Sequence, residues 1–220
     1  MNTLPSAGQA HAVLREAVRW RLLGMLFERP RAGWHAEIQE LGAGLDDERL
    51  QAAIAAAGDA GEGAYQAVFG PGAPVSPREV GYRRREDPGT ILAELKAFHT
   101  SFAFTPRAED PIDHVAVEVG FAGYLRLKEA YALARGDHDA AAICHAAFER
   151  FRERHLRFLA EPLAAVLEGS PVPHAALAAQ ILFEAVGAAP DDLNPVVEDG
   201  DGGEFGCAGG VCPAVDPLEA

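Results

Sequence analysis

The helical character of this chain is clearest in the segment Asp110-Pro-Ile-Asp-His-Val-Ala-Val-Glu-Val-Gly-Phe-Ala-Gly-Tyr-Leu125. Aspartate followed by proline is a typical helix start, because the aspartate side chain accepts hydrogen bonds from free amides and proline fits the first helical position. We therefore predict a helix from Asp110-Pro111 to about Arg135. Its inward residues recur at helical spacing: Val115, Val119, Ala122, Leu125 and Tyr131.

The same kind of pattern continues on both sides of this segment. Acids stand at a predicted helix start at Asp46-Asp47-Glu48, and Asp87-Pro88 and Asp137 give further starts. No run alternates polar and apolar residues long enough to predict a sheet, so we predict an all-α, single-domain helical bundle. The other predicted helices cover 13–27, 34–41, 46–57, 64–69, 88–102, 137–161 and 171–186.

A long loop interrupts the helices between Gly70 and Pro88. Its content of glycine and proline is too high for a regular element, and loops of this length inside a domain are usually functional or disordered. It contains Arg83-Arg84-Arg85. We interpret this run as a solvated loop face, or alternatively as a contact for an acidic client surface.

Charge divides the chain into two parts. The 220 residues hold 33 acids and 19 bases, a net charge of −14. Eight of the acids and none of the bases lie in 191–220, which leaves −6 for 1–190. We predict a helical domain over 1–187 and an acidic, Gly/Pro-rich, disordered tail over 188–220.

The composition also limits the partners. An acidic chain lacks the basic footprint that nucleic acid and anionic lipid require, and it favours basic peptides instead. The apolar runs are too short to span a bilayer, and no secretory signal is visible. We therefore expect a cytoplasmic protein with no stable membrane insertion.

Motifs for catalysis are missing from the sequence. It contains no phosphate-binding lysine loop, no dinucleotide fingerprint and no nucleophile elbow, so we expect neither an enzyme nor a bound cofactor. A nucleotide-dependent assembly enzyme is disfavoured for the same reason. Cys207 and Cys212 could form a disulfide or supply two metal ligands. They leave open an alternative function as a metal- or Fe–S-carrying maturation factor, although a complete site needs about four ligands.

Three motifs occur in a recognisable order: Tyr65-Gln-Ala-Val-Phe-Gly-Pro-Gly72, then Pro111-Ile-Asp-His114 with Glu118, Phe121 and Leu125 after it, and later His155-Leu156. Together they resemble the TorD/DmsD/NarJ family of redox-enzyme maturation chaperones. The resemblance covers about residues 12 to 185, and its most specific part is Pro-x-Asp-His with the downstream Glu and Phe. Two departures are Leu159, where the family often has an aromatic residue, and Gly81, where serine is common.

The resemblance implies an all-helical cytoplasmic chaperone, monomeric or homodimeric. Such a chaperone binds the twin-arginine signal peptide and the apo form of a molybdenum-enzyme catalytic subunit, assists cofactor insertion and delays export until then. The matching positions for peptide binding are Tyr82, Pro111, Asp113, His114 and Glu118.

The chemistry of a twin-arginine peptide fits these residues. A cationic start and an apolar middle require carboxylates beside an apolar groove. Asp113 and Glu118 could supply the carboxylates. The apolar surface would then come from Tyr82, Val115 and Phe121.

Structural roles for the same residues are also open. Asp113 could be a routine acid in the first turn of a helix. His114 could form a hydrogen bond within the core. Phe121 and Tyr124 are better explained as core residues than as binding residues, because they recur at helical spacing.

Overall fold

The computed structural model describes residues 7–106 and 110–188, and all structural statements below concern that part of the chain. It is all-α, as predicted. A 3-10 turn at Glu79–Gly81 and a π-helical turn at Arg152–Leu156 accompany the α-helices. These are α1 Ala7–Met25, α2 Trp34–Gly42, α3 Glu48–Ala56, α4 Glu62–Phe69, α5 Pro88–Ser101, α6 Val115–Ala134, α7 His138–Phe151, α8 Arg157–Leu167 and α9 Pro173–Val186.

β-Pairing within the described ranges is limited to one isolated antiparallel bridge between Arg78 and His114. None of the helices described combines the length and the apolar character needed to cross a bilayer.

Three helices start as predicted, with aspartate as the N-cap. The side chain of Asp47 accepts a hydrogen bond from the Leu50 amide at 3.1 Å, and that of Asp87 accepts one from the Thr90 amide at 3.0 Å. Asp137 caps α7 in the same way. Each cap satisfies one of the amides that a helix start leaves without a partner.

The predicted start of α6 is wrong. The helix begins at Val115 and not at Asp110-Pro111, and its N-cap is His114, whose Nδ1 accepts a hydrogen bond from the Ala116 amide at 3.1 Å. The preceding residues form a turn bound to the 70–87 loop. The Glu79 amide donates to the Asp113 carbonyl at 2.9 Å, and the Val115 amide donates to the Pro77 carbonyl at 2.8 Å. These tertiary hydrogen bonds override the local helix signal.

The predicted end of the 137–161 helix is also wrong. The chain stays helical from α7 through the π-helical turn and α8 to Leu167, with Pro162 inside α8. A π-helical turn is an insertion of one extra residue into the helix, and such turns are frequent at functional sites. His155, the histidine of the His-Leu motif, lies in this turn.

Helices α1 and α6 pack with their backbones in contact. A Cβ atom added to Gly24 would lie 3.0 Å from the Gly120 nitrogen, and one added to Gly123 would lie 2.9 Å from the Arg21 nitrogen. Small residues are therefore required where the two helices cross. Helix α6 is buried along most of its length, and α7 packs against it, while α3 and α8 pack against α9.

Phe121 lies at the centre of the core, as predicted, and is fully buried. Tyr124 is half-buried at the edge of the same cluster, and its hydroxyl donates to the Phe102 carbonyl at 3.1 Å. Edge-to-face and tilted ring contacts of this kind add to simple burial. The aromatic partners of Phe121 are Phe98, His99, Phe102, Phe104, Tyr124 and Phe151.

Candidate functional site

The 70–87 loop is attached to the start of α6 by a partly buried ion pair. The Nε atom of Arg78 donates to both carboxylate oxygens of Asp113, at 2.9 and 3.1 Å. The Asp113 side chain is fully buried, whereas that of Arg78 is 41% exposed. Asp113 is thus not an acid in the first turn of a helix. It is the anchor that holds the loop against α6.

His114 is buried between the first motif and the second. Because its Nδ1 accepts the Ala116 amide, a neutral ring carries its proton on Nε2, which lies 3.0 Å from the Tyr65 hydroxyl. Burial is the main cause that lowers the pKa of His114, and burial raises the pKa of Tyr65 to about 12. Both groups are therefore neutral near pH 7. The predicted hydrogen bond of His114 within the core is present.

Tyr82 lies beside this junction and is half-buried. Its hydroxyl donates to the Ser76 carbonyl at 2.5 Å, and burial raises its pKa to about 12. The preceding Gly81 packs closely, since a Cβ atom there would lie 2.7 Å from the Ser76 Oγ. This contact explains why glycine fits here at a position where the resemblance led us to expect serine.

Arg83 is buried, so the prediction of a solvated arginine run is wrong for this residue. Its guanidinium binds Glu79 at 2.5 Å and Glu86 at 2.5 and 2.8 Å. It also donates to the Arg154 carbonyl in the π-helical turn at 3.0 Å and lies 4.2 Å from the centre of the Phe158 ring. Arg84 and Arg85 are exposed, as predicted.

A second set of buried ionisable groups surrounds Arg83. Glu79, Glu118 and His155 are all fully buried, and the His155 Nδ1 lies 3.0 Å from Glu79 Oε2. The pKa of Glu118 is raised well above its ordinary value, first by burial and then by the charges of Glu79 and Asp113. These three residues come from the loop, from α6 and from the π-helical turn, and each presents one metal-ligating atom within 4.8 Å of the others.

The five predicted peptide-binding residues therefore fall into two groups. Asp113, His114 and Glu118 lie close to the loop junction but are at most 2% exposed, so they do not form a surface in this conformation. Tyr82 is half-buried and Pro111 is exposed, so both can be reached from solvent. Val115 and Phe121, expected to line an apolar groove, are fully buried; that part of the prediction is wrong.

An open apolar groove lies elsewhere, between α1, α6 and the segment 103–106. Its volume is about 690 Å³, within the usual range of ligand sites. Arg21 and Glu28 supply its charges and form an ion pair at 2.6 Å. Apolar lining residues include Val18, Leu41, Phe104, Tyr124 and Leu127.

Sequence reasoning missed this groove, the charged residues Arg78 and Glu79, and the burial of Arg83. The groove is formed by segments far apart in the chain, so no local pattern marks it. For the charged residues a signal did exist, since they lie in the long Gly/Pro-rich loop whose length is typical of functional or disordered segments. The predicted metal ligands Cys207 and Cys212 lie outside the described residues, as does the whole predicted tail except residue 188.

A family model described as nitrate reductase delta subunit matches residues 31–163, which is more than half of the chain. The chain belongs to the nitrate reductase delta subunit family. This confirms the resemblance to the TorD/NarJ chaperones that the three motifs indicated. Searches of curated proteins and of solved structures gave no match.

Membership of the nitrate reductase delta subunit family gives the general role of the chain. The family consists of maturation chaperones for molybdoenzymes, which act on the catalytic subunit, and it is not a family of catalytic enzymes. The matched residues include all three motifs and the buried ionisable groups. They begin after α1, so one wall of the groove lies outside the match.

Proposed function

We propose that this protein is a cytoplasmic chaperone that binds the twin-arginine leader peptide of a molybdoenzyme catalytic subunit. It holds the apo form of that subunit until the molybdenum cofactor is inserted and delays export until then. The observation that carries this proposal is the apolar groove between α1 and α6, which contains a partly exposed ion pair and lies on a member of a chaperone family.

The groove suits the apolar middle of a leader peptide. An extended or helical apolar segment binds a protein by placing side chains in a hydrophobic groove. A large apolar side chain that lines the groove, Leu127 on α6, is 46% exposed. A bound segment would cover this apolar surface and remove it from water.

Glu28 is the carboxylate that could meet the arginines of the leader. It is already paired with Arg21 at 2.6 Å, and both side chains are partly exposed. A leader arginine could replace Arg21 as the partner of Glu28, because this exchange would keep the Glu28 carboxylate paired with a guanidinium. The net charge of −14 would further raise the rate at which a cationic peptide reaches the protein.

The five residues taken from the resemblance have two roles in this proposal. Tyr82 and Pro111 contact the client directly, because both can be reached from solvent. Asp113, His114 and Glu118 act indirectly: Asp113 holds the 70–87 loop through Arg78, His114 joins the start of α6 to Tyr65, and Glu118 lies beside Glu79 of the loop. A change in any of these three would alter binding by disturbing the junction between the loop and α6.

The test is calorimetry with the full chain and a synthetic leader peptide containing both arginines. We expect Leu127→Glu to weaken binding by about tenfold or more, because it places a charge in the apolar groove. Ile143→Glu is the matched control, since Ile143 is also an exposed apolar residue, on α7 and outside the groove. It should leave the affinity unchanged.

Two results would contradict the proposal. If a twin-lysine or scrambled peptide binds with the same affinity, the protein does not recognise the twin-arginine leader specifically. If the Leu127→Glu and Ile143→Glu variants bind the leader with equal affinity, the leader does not bind in the groove.

A further inference from the structure

We propose that Glu79, Glu118 and His155 bind one divalent first-row transition-metal ion, of the class Mn²⁺, Fe²⁺, Co²⁺ or Zn²⁺. The site is separate from the groove proposed for the leader peptide and does not depend on it. Two carboxylates and one imidazole form a mixed oxygen and nitrogen set that suits these ions.

The distances between the three side chains are suitable. One donor atom from each residue lies within 4.8 Å of the others, and the His155 Nδ1 is 3.0 Å from Glu79 Oε2. Around an ion with bonds of about 2.1 Å, neighbouring ligand atoms stand roughly 3 to 4 Å apart. Small rotations of the side chains would therefore complete the geometry.

The environment of Glu118 is a second observation, independent of these distances, that points to a bound ion. The residue is fully buried, and within the described ranges no N–H group or hydroxyl donates a hydrogen bond to either of its oxygens, although the Glu79 carboxyl is close enough to share a proton with it. Buried polar atoms nearly always have a partner. The polar neighbour of Glu118 in this cluster is another carboxyl group, Glu79. Two carboxyl groups can be held together in the interior only by a shared proton or by a cation.

The surrounding residues would orient the ligands. Arg83 donates to Glu79 Oε1 at 2.5 Å, which fixes the direction of that carboxylate. On the far side of the imidazole, His155 Nε2 faces the Oε2 of Glu94 at 3.9 Å. This distance is too long for a hydrogen bond, and His155 Nε2 has no hydrogen-bond partner within the described ranges, so Glu94 would have to move closer to support the imidazole as a ligand.

The charges also balance. Arg83 is matched by Glu86, whose carboxylate it binds through two nitrogens at 2.8 and 2.5 Å. The two remaining carboxylates, Glu79 and Glu118, would be neutralised by one divalent ion beside a neutral imidazole. A buried ion without such compensation would be strongly unfavourable.

Because the three ligands are buried, the experiment must supply the ion before the protein has folded. All three side chains have no exposed surface, so the ion enters during folding or when the 70–87 loop opens. The experiment therefore uses the full chain with Cys207→Ser and Cys212→Ser, which removes the thiolates of the tail as competing ligands. This protein is unfolded with a chelator and then refolded with or without Co²⁺, whose visible absorption reports the ligand set.

We expect about one Co²⁺ per chain to be retained after gel filtration, with d–d absorption bands and a raised melting temperature. Glu118→Gln should reduce the affinity for Co²⁺ by about tenfold or more, because the amide removes an anionic ligand. Glu129→Gln is the matched control. Glu129 lies on the same helix, is 7% exposed and pairs with Arg126 outside the cluster.

The proposal is overturned if refolded protein retains no Co²⁺, or if the Glu118→Gln and Glu129→Gln variants retain it equally. Circular dichroism checks that both variants are helical. If Glu118→Gln fails to fold, His155→Gln takes its place, with the same expected loss and the same control.

Discussion

At the scale of single residues, the 70–87 loop is held by charges that are removed from water. Arg83 is the clearest case. It is 8% exposed, and its guanidinium joins the loop to the π-helical turn through Glu79 and the Arg154 carbonyl. A buried ion pair is weak evidence of net stability, but removing one partner leaves the other charge buried and uncompensated.

We therefore expect Arg83→Ala to lower the free energy of unfolding by about 3–5 kcal/mol. The neighbouring Arg84 is exposed, so Arg84→Ala should change it by less than about 0.5 kcal/mol. Urea unfolding followed by circular dichroism measures both. Similar values for the two variants would show that Arg83 is not held in the buried network.

The sequence shows the chemical type of each residue but not whether its side chain is buried. Asp113, His114 and Glu118 were predicted from the resemblance as peptide-binding residues, and the sequence could not reveal that they are buried. Arg83, Arg84 and Arg85 are identical in type and adjacent in the chain. Only the tertiary contact with Phe158 and Glu79 distinguishes the first of them.

At the scale of elements, the helices were predictable wherever local rules decide their ends. The N-caps Asp87 and Asp137 were predicted and are present. The rules failed where a distant part of the chain forms hydrogen bonds with the backbone of the predicted helix. Asp110-Pro111 is a good local start, but the turn that follows is bound to the 70–87 loop, and α6 begins only at Val115.

The crossing of α1 and α6 gives a prediction about glycine. We expect Gly123→Ala to lower the free energy of unfolding by about 1–3 kcal/mol, because the new methyl group would lie 2.9 Å from the Arg21 backbone nitrogen. Gly120→Ala is the control on the same helix. Its Cβ would meet only the end of the Arg21 side chain, at 3.8 Å.

The control variant should be neutral or stabilising by up to about 1 kcal/mol, the difference in helix propensity between glycine and alanine. Chemical denaturation of both variants provides the comparison. If Gly123→Ala is as stable as Gly120→Ala, the two helices are not in backbone contact at this position.

At the scale of the whole molecule, the proposed boundary at residue 187 can be tested by truncation. A chain of residues 1–187 keeps all the helices described here and has a net charge of −6 in place of −14. We expect its melting temperature to stay within about 4 °C of that of the full chain, which corresponds to about 1 kcal/mol. A larger decrease would mean that residues 188–220 belong to the folded domain.

The family was readable from the sequence because its motifs are short and local. The groove was not readable, because it joins α1, the segment 103–106 and α6, which are brought together only by folding. The same holds for the buried cluster, in which Glu79, Glu118 and His155 come from three separate segments. Residue types and spacing indicate the family, whereas the surfaces that bind depend on long-range packing.

The pairing of α1 with α6 also has a consequence for biosynthesis. Helix α1 ends at Met25 and α6 begins at Val115, so α1 leaves the ribosome well before its partner is made. At about 5–20 residues per second, this interval lasts on the order of 5–20 s. During it, the apolar face of α1 that will cross α6 at Gly24 lacks its native cover. A nascent chain of this protein is thus itself a candidate for protection by general chaperones.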